Sequence, residues 1–207
     1  NPFKNSIIKY LYKLDPISQK TQSVNCIKKV KDMILGYNTD YYGFSKSMEV
    51  NNIDFSDKKI IVLGAGGVSS TVCKYLNDNH FPFKIINRTT QNSEILANRL
   101  NLSKDIIASP DFSKNKECDI MINCLTSDSD SHNYLNMIGL RNMQISTFID
   151  MNYNVSDNFI SNINANKIVN GIDMLIFQAI KSIEIWMEND ILHSVDYHSL
   201  RKHIIEN

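Results

Sequence analysis

The sequence predicts an α/β protein with a mostly parallel, doubly wound sheet, and three observations support this fold class. Short apolar runs alternate with segments whose apolar residues recur at three- and four-residue spacing, the pattern of βαβ units. The apolar run 60–63 leads directly into a glycine cluster and then into a helical pattern. The chain has 207 residues, 43% of them hydrophobic, which is enough to bury a substantial core in one large or two small domains.

Charge and composition exclude several classes of function. The 22 basic and 22 acidic side chains give a formal net charge of zero, so nothing favours binding to nucleic acid or to an anionic membrane. No apolar run reaches the roughly 20 residues that span a bilayer, and no signal-peptide pattern is present. The four cysteines lack the paired spacing of a metal site and are expected as free thiols in a reducing compartment. We expect a cytoplasmic globular protein, a monomer or a homodimer.

The elements before the glycine cluster follow from local signals. Asp15-Pro16 is typical of the N-cap and first position of a helix, and a Lys/Asp tip between two apolar runs is typical of a β-hairpin. In chain order we predict a helix over 7–14, a short helix over 16–20, hairpin strands over 24–30 and 33–37, a loop over 36–44 that is rich in polar and aromatic side chains, and a helix over 45–52.

The elements from the glycine cluster onwards alternate between strand and helix. We predict strands at 60–63, 83–87, 119–125, 147–153 and 167–169, and helices over 69–79, around 95–100, over 173–189 and over 195–205. This alternation implies parallel strands joined by helices. We therefore expect a nucleotide-binding domain at residues 46–172, with residues 1–45 and 173–207 packing together as a second, partial α/β lobe.

The glycine cluster has the form of a dinucleotide-binding turn. Gly64, Gly66 and Gly67 lie between a buried strand and a helix start, which is what a Rossmann-like domain uses to place a phosphate on a helix N-terminus. Ser69 stands where the third glycine of the fingerprint would be. An ordinary tight turn between a strand and a helix gives the same pattern, so the motif alone leaves both interpretations open.

Arg88 predicts the type of dinucleotide. It lies at the end of the second strand of the predicted nucleotide-binding domain, close to the roughly 20-residue distance from the glycine turn at which such domains place the residue that selects the cofactor. An acidic residue there binds the ribose 2′-hydroxyl of NAD, whereas an arginine accommodates the 2′-phosphate of NADP. No Asp or Glu occurs at positions 85–90. A guanidinium can bind a phosphate through two parallel hydrogen bonds, and the hydroxyl of Thr89 can add another. NADP is therefore favoured over NAD.

Lys4 and Asp40 are the candidates for proton transfer. Moving a hydride to or from an alcohol carbon requires a group that passes the hydroxyl proton, and a lysine beside a carboxylate can do this. Spacing alone does not bring the two residues together, because a lysine is usually a surface residue and an aspartate in this context is usually a turn residue or an N-cap.

Several segments, found together and in this order, resemble the shikimate dehydrogenase family. They are GYNTDYYGF at 36–44, VLGAGGVSS at 62–70, INRT at 86–89 and GIDMLIFQAIKSIEIW at 171–186, with NPFK at the start resembling the end of that family's N-V-T-x-P-x-K motif and SVNCI at 23–27 its A-V-N-T strand. The resemblance covers essentially the whole chain. It implies NADPH-dependent, reversible reduction of 3-dehydroshikimate to shikimate.

The resemblance also implies roles for individual residues. Lys4 matches the proton-transferring lysine and Asp40 its carboxylate partner. The residues that match substrate-binding positions are Asn25, Tyr153 and Gln178. The residues that match NADP-binding positions are Gly64, Ala65, Gly66, Gly67, Asn87, Arg88, Thr89, Gly171 and Met174. No metal is implied, and His193, His198 and His203, spaced every five residues, would fan around a helix rather than form a metal-binding face.

The sequence departs from the family in ways that leave alternatives open. Leu125 stands where the family usually has a threonine at the cofactor edge. The family's Ser-x-Ser pair, which lies before NPFK in the family's sequences and binds the substrate carboxylate, has no counterpart here. The sequence is therefore either part of a longer polypeptide or a form without half of its substrate domain. Two alternatives are an enzyme with quinate or dual quinate/shikimate preference and a catalytically silent NADP-binding module. Folate- and tRNA-linked relatives are disfavoured by GYNTD and MLIFQ.

Overall fold

The structure is a computed structural model that describes residues 3–109, 117–126, 129–153 and 163–206. The chain divides into two compact units, one formed by Asn1–Ile53 with Ile172–Asn207 and the other by Asp54–Gly171. Among the described helices, none combines the length and the apolar character needed to cross a membrane.

The helices and strands follow one another in the order expected of an α/β chain. The first unit begins with a 3-10 helix at Ser6–Tyr10 and continues with β1 (Lys13–Leu14), α1 (Pro16–Thr21), β2 (Cys26–Val30), β3 (Met33–Tyr37) and α2 (Asp40–Val50). The second unit contains β4 (Ile60–Leu63), α3 (Gly67–Asp78), β5 (Phe83–Ile86), α4 (Thr90–Leu100), β6 (Glu117–Asn123), α5 (Ser129–Met137), β7 (Gln144–Asp150) and β8 (Ala165–Val169). The chain then returns to the first unit with α6 (Ile172–Met187) and α7 (Tyr197–Glu206).

The second unit is built on a five-stranded, all-parallel sheet in the order β5-β4-β6-β7-β8. The chain runs from β4 outward to β5 and then returns past β4 to β6, which is the topological switch of a doubly wound sheet. All four residues of β4 are buried, as expected of a strand covered on both faces. The predicted α/β fold class with a parallel, Rossmann-like sheet is confirmed.

The first unit contains a three-stranded sheet in the order β1-β3-β2. Strands β2 and β3 form the predicted antiparallel hairpin, with Cys26 opposite Tyr37. The helix predicted over 7–14 is wrong, because only a short 3-10 helix forms there and β1 then pairs with β3. The apolar spacing has a different cause: Leu11 and Leu14 pack onto Gly36, where a Cβ would lie 2.5 and 2.9 Å from their side chains.

Two helix starts show how local polar groups define the elements. Asp15 Oδ1 accepts the backbone N–H of Ser18 at 2.9 Å, which confirms the predicted N-cap of α1. The prediction of a loop up to residue 44 is wrong, since α2 begins at Asp40. Asn38 Oδ1 accepts the backbone N–H of Tyr41 at 3.3 Å and so satisfies a donor in the first turn of α2.

Candidate active site

Lys4 and Asp40, which lie 36 positions apart in the sequence, form an ion pair in the first unit. Lys4 Nζ donates to Asp40 Oδ2 at 2.6 Å. The Asp40 side chain is 6% exposed and the Lys4 side chain 21%, so the carboxylate is buried while the ammonium keeps access to the exterior. Asp40 lies in the first turn of α2, where the helix dipole favours a negative charge. A lysine fixed in this way can pass a proton to or from a hydroxyl.

Asn25 and Gln178 complete a polar cluster around this ion pair. Asn25 Nδ2 donates to Asp40 Oδ1 at 2.8 Å and to Gln178 Oε1 at 3.1 Å. Its Oδ1 accepts the backbone N–H of Thr39 at 2.8 Å, which fixes the orientation of the amide because only an oxygen can accept there. The structure thus brings together four of the residues selected from the sequence, namely Lys4, Asn25, Asp40 and Gln178.

Two further members of the cluster, Thr39 and Ser182, are not among the residues selected from the sequence. Thr39 Oγ1 accepts from Asn25 Nδ2 at 2.9 Å and lies 3.0 Å from Ser182 Oγ. Ser182 lies four residues after Gln178, so both share one face of α6. This i, i+4 relation, and the adjacency of Thr39 to Asp40, are the sequence signals that would have found them.

Close packing of α2 against α6 fixes the position of Gln178. Gly43 lies on α2, and a Cβ built there would be 2.7 Å from the backbone oxygen of Met174 and 2.8 Å from Gln178 Cβ. Glycine is therefore needed for the two helices to approach this closely. Met174, a predicted cofactor-binding residue, is buried in the first turn of α6.

The glycine turn in the second unit leaves the N-terminus of α3 open. Gly64 has φ +102°, a conformation that favours glycine. Gly66 is the N-cap of α3, and a Cβ built there would meet no described atom within 4 Å. Ser69 Oγ accepts the backbone N–H of Gly66 at 3.1 Å, so the serine in the third-glycine position stabilises the turn. Ala65 and Gly67 are half-buried.

The segment after β5 presents polar groups to solvent. Asn87 Nδ2 donates to the backbone oxygen of Thr89 at 2.8 Å, and Thr89 is the N-cap of α4. Arg88 and Thr89 are both exposed. An exposed guanidinium and an open helix N-terminus fit the phosphates of a dinucleotide.

The two remaining predicted residues lie near the ends of β7 and β8. Tyr153 follows β7 and is 56% exposed. Gly171 follows β8, and a Cβ built there would be 2.5 Å from the backbone oxygen of Met151, so glycine is required by close approach of the two backbones. Among the residues that the structure describes, no group of three or more His, Cys, Asp or Glu is placed to hold a metal ion.

Comparisons with known proteins agree with this architecture. The sequence profile described as Shikimate / quinate 5-dehydrogenase matches residues 46–153. The Shikimate dehydrogenase (NADP(+)) of Thermoplasma acidophilum is 30% identical over 192 residues, which covers 89% of this chain and 68% of the relative. The enzyme of the same name from Methanococcus aeolicus is 35% identical over 195 residues, with 89% and 69% covered.

A solved structure gives the same result. The chorismate mutase/shikimate 5-dehydrogenase fusion protein from Clostridium acetobutylicum superimposes with a TM-score of 0.76 at 26% identity, covering 98% of this chain and 76% of that one. The sequence and structural similarities extend over both units, and the chain belongs to the shikimate / quinate 5-dehydrogenase family.

Proposed function

We propose that the protein is an NADP-dependent oxidoreductase that reversibly reduces 3-dehydroshikimate to shikimate, a step of aromatic amino acid biosynthesis. The observation that supports this most directly is the cluster of Lys4, Asp40, Asn25 and Gln178 in a chain of this family. The relatives from T. acidophilum and M. aeolicus bear the name Shikimate dehydrogenase (NADP(+)). We assign the activity to the cytoplasm and to a monomer or homodimer.

Lys4 is the proton-transferring residue in this proposal. In the direction of reduction, the Lys4 ammonium donates a proton to the carbonyl oxygen, which becomes the new hydroxyl. In the reverse direction the neutral amine accepts that proton. Asp40 keeps Lys4 in place through its Oδ2 atom. Because the ion pair is already formed in the folded chain, no reorganisation of the lysine is required when substrate binds.

Asn25, Gln178 and Tyr153 bind and orient the substrate. The amide groups of Asn25 and Gln178 adjoin Asp40 and offer both donors and acceptors to ring hydroxyls. Tyr153 is exposed and offers a phenol hydroxyl. When the polar groups of a site are matched to the hydroxyls of its substrate, the site discriminates strongly against compounds that lack those hydroxyls. Binding such a compound would leave the polar groups of the site unpaired.

The second unit binds NADP in this proposal. Gly64, Ala65, Gly66 and Gly67 hold the pyrophosphate at the N-terminus of α3. Asn87, Arg88 and Thr89 hold the adenosine 2′-phosphate, and Gly171 and Met174 adjoin the nicotinamide. When bound, the cofactor donates or accepts the hydride. The unit Asp54–Gly171 is then the NADP-binding domain, and the other unit is the substrate-binding lobe.

The test is a substrate panel with the purified protein. Shikimate and quinate are each supplied with NADP⁺ or NAD⁺, and NADPH or NADH formation is followed by absorbance. We expect shikimate-dependent reduction of NADP⁺. Preference for quinate would instead support the second activity in the description of the family. NADPH binding in calorimetry without oxidation of either substrate would contradict the proposal and indicate a silent NADP-binding module.

A further inference from the structure

A buried carboxylate, Asp173, links three helices of the first unit. It lies in the first turn of α6 and is 2% exposed. Its Oδ2 accepts from Asn51 Nδ2 at 2.7 Å, and Asn51 is the C-cap of α2. Its Oδ1 accepts from Tyr197 Oη at 2.6 Å and from Arg201 Nε at 2.5 Å, both on α7. A buried charge is tolerated only when it is paired and hydrogen-bonded in this way.

Aromatic stacking reinforces the contact between α6 and α7. The rings of Phe177 and Tyr197 are stacked with their centroids 4.9 Å apart and an interplanar angle of 14°. Burial, together with the hydrogen bond to the Asp173 carboxylate, raises the pKa of Tyr197 above its ordinary value. The phenol therefore stays protonated and remains a donor at neutral pH.

The segment between α6 and α7 is also anchored to α6. Glu184 Oε1 accepts the backbone N–H groups of Ile191 and Leu192, each at 3.3 Å. Asp173 thus ties α7 to the start of α6, and Glu184 ties the segment 191–192 to the later turns of α6. Tyr197 and Arg201 hold the Asp173 carboxylate in the orientation in which its Oδ2 accepts from Asn51, which ties the start of α6 to the end of α2.

The position of α6 matters because the same helix presents Gln178 to Asn25 at 3.1 Å. The contacts at Gly43 set the distance between α2 and α6, and the hydrogen bond from Asn51 to Asp173 sets the register between them. Binding sites depend on supporting residues that hold the contacting groups to within about 0.5 Å. A displacement of α6 would therefore separate Gln178 from the cluster around Asp40.

We propose that Asp173, Tyr197 and Arg201 are positioning residues that fix the register of α6 against α2 and so hold Gln178 in the substrate-binding cluster. This inference rests on the proposed function, because it assigns to α7 a role in binding the substrate. None of these three residues needs to touch the substrate for the effect to occur.

The test compares Arg201→Met with Lys202→Met, which removes the same charge from the neighbouring position on α7. Lys202 is exposed, and its ammonium lies 3.8 Å from Glu206. We expect Arg201→Met to lower kcat/KM for shikimate by about 10- to 100-fold, mainly through KM. NADPH affinity, measured by calorimetry, is expected to stay within about twofold, because Met174 is the one proposed cofactor residue on α6 and all the others lie in the second unit, which is unaltered. Lys202→Met is expected to change neither quantity.

Tyr197→Phe keeps the ring stacked on Phe177 and removes only the hydroxyl, so it provides a milder variant if Arg201→Met does not fold. Hydrogen exchange of the backbone amides at 174–178 gives a readout that needs no activity, and we expect faster exchange in both variants than in Lys202→Met. Unchanged exchange, or equal losses of shikimate and NADPH affinity, would overturn the inference. If the unmutated protein did not oxidise shikimate, the proposed function would be refuted. The hydrogen-exchange measurement would still test the positioning role, because it needs no activity.

Discussion

Asp40 binds a different donor with each of its carboxylate oxygens, Lys4 with Oδ2 and Asn25 with Oδ1. The residue is only 4% exposed, so loss of either donor would leave a buried charged oxygen without that partner, which costs about 1–3 kcal/mol or more. One buried carboxylate therefore determines where the ammonium and the amide can lie. Two of the proposed substrate-contacting groups are thus ordered before any ligand binds.

Arg88 gives a prediction on cofactor selectivity. Replacing it with leucine removes the guanidinium that would bind the 2′-phosphate, and hydrogen bonds to charged groups contribute about 1.5–3 kcal/mol. We expect Arg88→Leu to weaken NADP⁺ binding by about 10- to 100-fold and to leave NAD⁺ binding within about twofold, because NAD⁺ has no 2′-phosphate. Calorimetry with both cofactors measures this, with Arg99→Leu on α4 as the control. Equal losses for NADP⁺ and NAD⁺ would contradict the assignment.

Sequence reasoning reached the site residues in two different ways. The glycine turn and Arg88 follow from local pattern and spacing. Lys4 and Asp40 were candidates because of their chemistry. Spacing could not bring them together, because their approach depends on the strands and helix between them, and only the family resemblance joined them as a pair. Thr39 and Ser182 were missed, since hydroxyl residues in such segments are usually caps or surface groups. The geometry joins these side chains, and their roles stay predictions.

At the scale of elements, local signals gave correct predictions and long-range pairing caused the errors. The N-cap at Asp15 was predictable because donor and acceptor lie three residues apart. The helix predicted over 7–14 was wrong because pairing of β1 with β3 overrides helical periodicity. The start of α2 was missed because it depends on a long-range contact. A buried hydrogen bond from Asn38 Nδ2 to Thr21 Oγ1 places the Asn38 side chain, and this allows the helix to begin at Asp40.

The contact between α2 and α6 gives the second prediction. Replacing glycine by alanine inside a helix normally stabilises a protein by about 0.5–1 kcal/mol. At Gly43 the new Cβ would lie 2.7 Å from the Met174 oxygen, so the helices must separate and we expect Gly43→Ala to lower the free energy of unfolding by about 1–3 kcal/mol. Urea denaturation measures this, with Ser45→Ala on the same helix as the control. A stabilised Gly43→Ala variant would show that the packing is looser than described.

At the scale of the whole molecule, the order of elements was more predictable than their arrangement. Alternating strand and helix patterns established the α/β class, because each pattern is local. The strand order β5-β4-β6-β7-β8 depends on contacts between distant segments and could be expected only from the topology of dinucleotide-binding domains. The boundary between the two units falls after Ile53, so all of α2 belongs to the first unit. The face of α2 that packs against α6 is buried in that unit.

Alkaline pH gives a prediction for the stability of the folded molecule. The Cys118 thiol is buried at the start of β6, and its Sγ lies 3.3 Å from the backbone oxygen of Lys59 and 3.1 Å from that of Ile120, either of which can accept its one hydrogen. Burial raises its pKa from 9.0 to about 12. The unfolded chain therefore releases this proton at a lower pH than the folded protein does, and the stability present below about pH 9 is lost progressively as the pH rises towards 12.

The corresponding measurement is urea denaturation at a series of pH values across this window. We expect the free energy of unfolding to fall more steeply in the unmutated protein than in Cys118→Ala, which lacks the titrating group. The comparison is between slopes, because the alanine variant also loses packing at every pH. Parallel slopes would mean that the thiol is not held protonated by the fold.

The central claim, that Lys4 passes the proton while NADP binds elsewhere on the chain, is tested most directly by comparing Lys4→Ala with Lys9→Ala, an exposed lysine of the same N-terminal segment. Turnover of shikimate with NADP⁺ and the calorimetric affinity for NADPH are measured for both variants. The account predicts that Lys4→Ala lowers kcat by about 100- to 10,000-fold with NADPH affinity unchanged, and that Lys9→Ala changes neither. Unaltered turnover in Lys4→Ala, or equal losses of turnover and NADPH affinity, would contradict it.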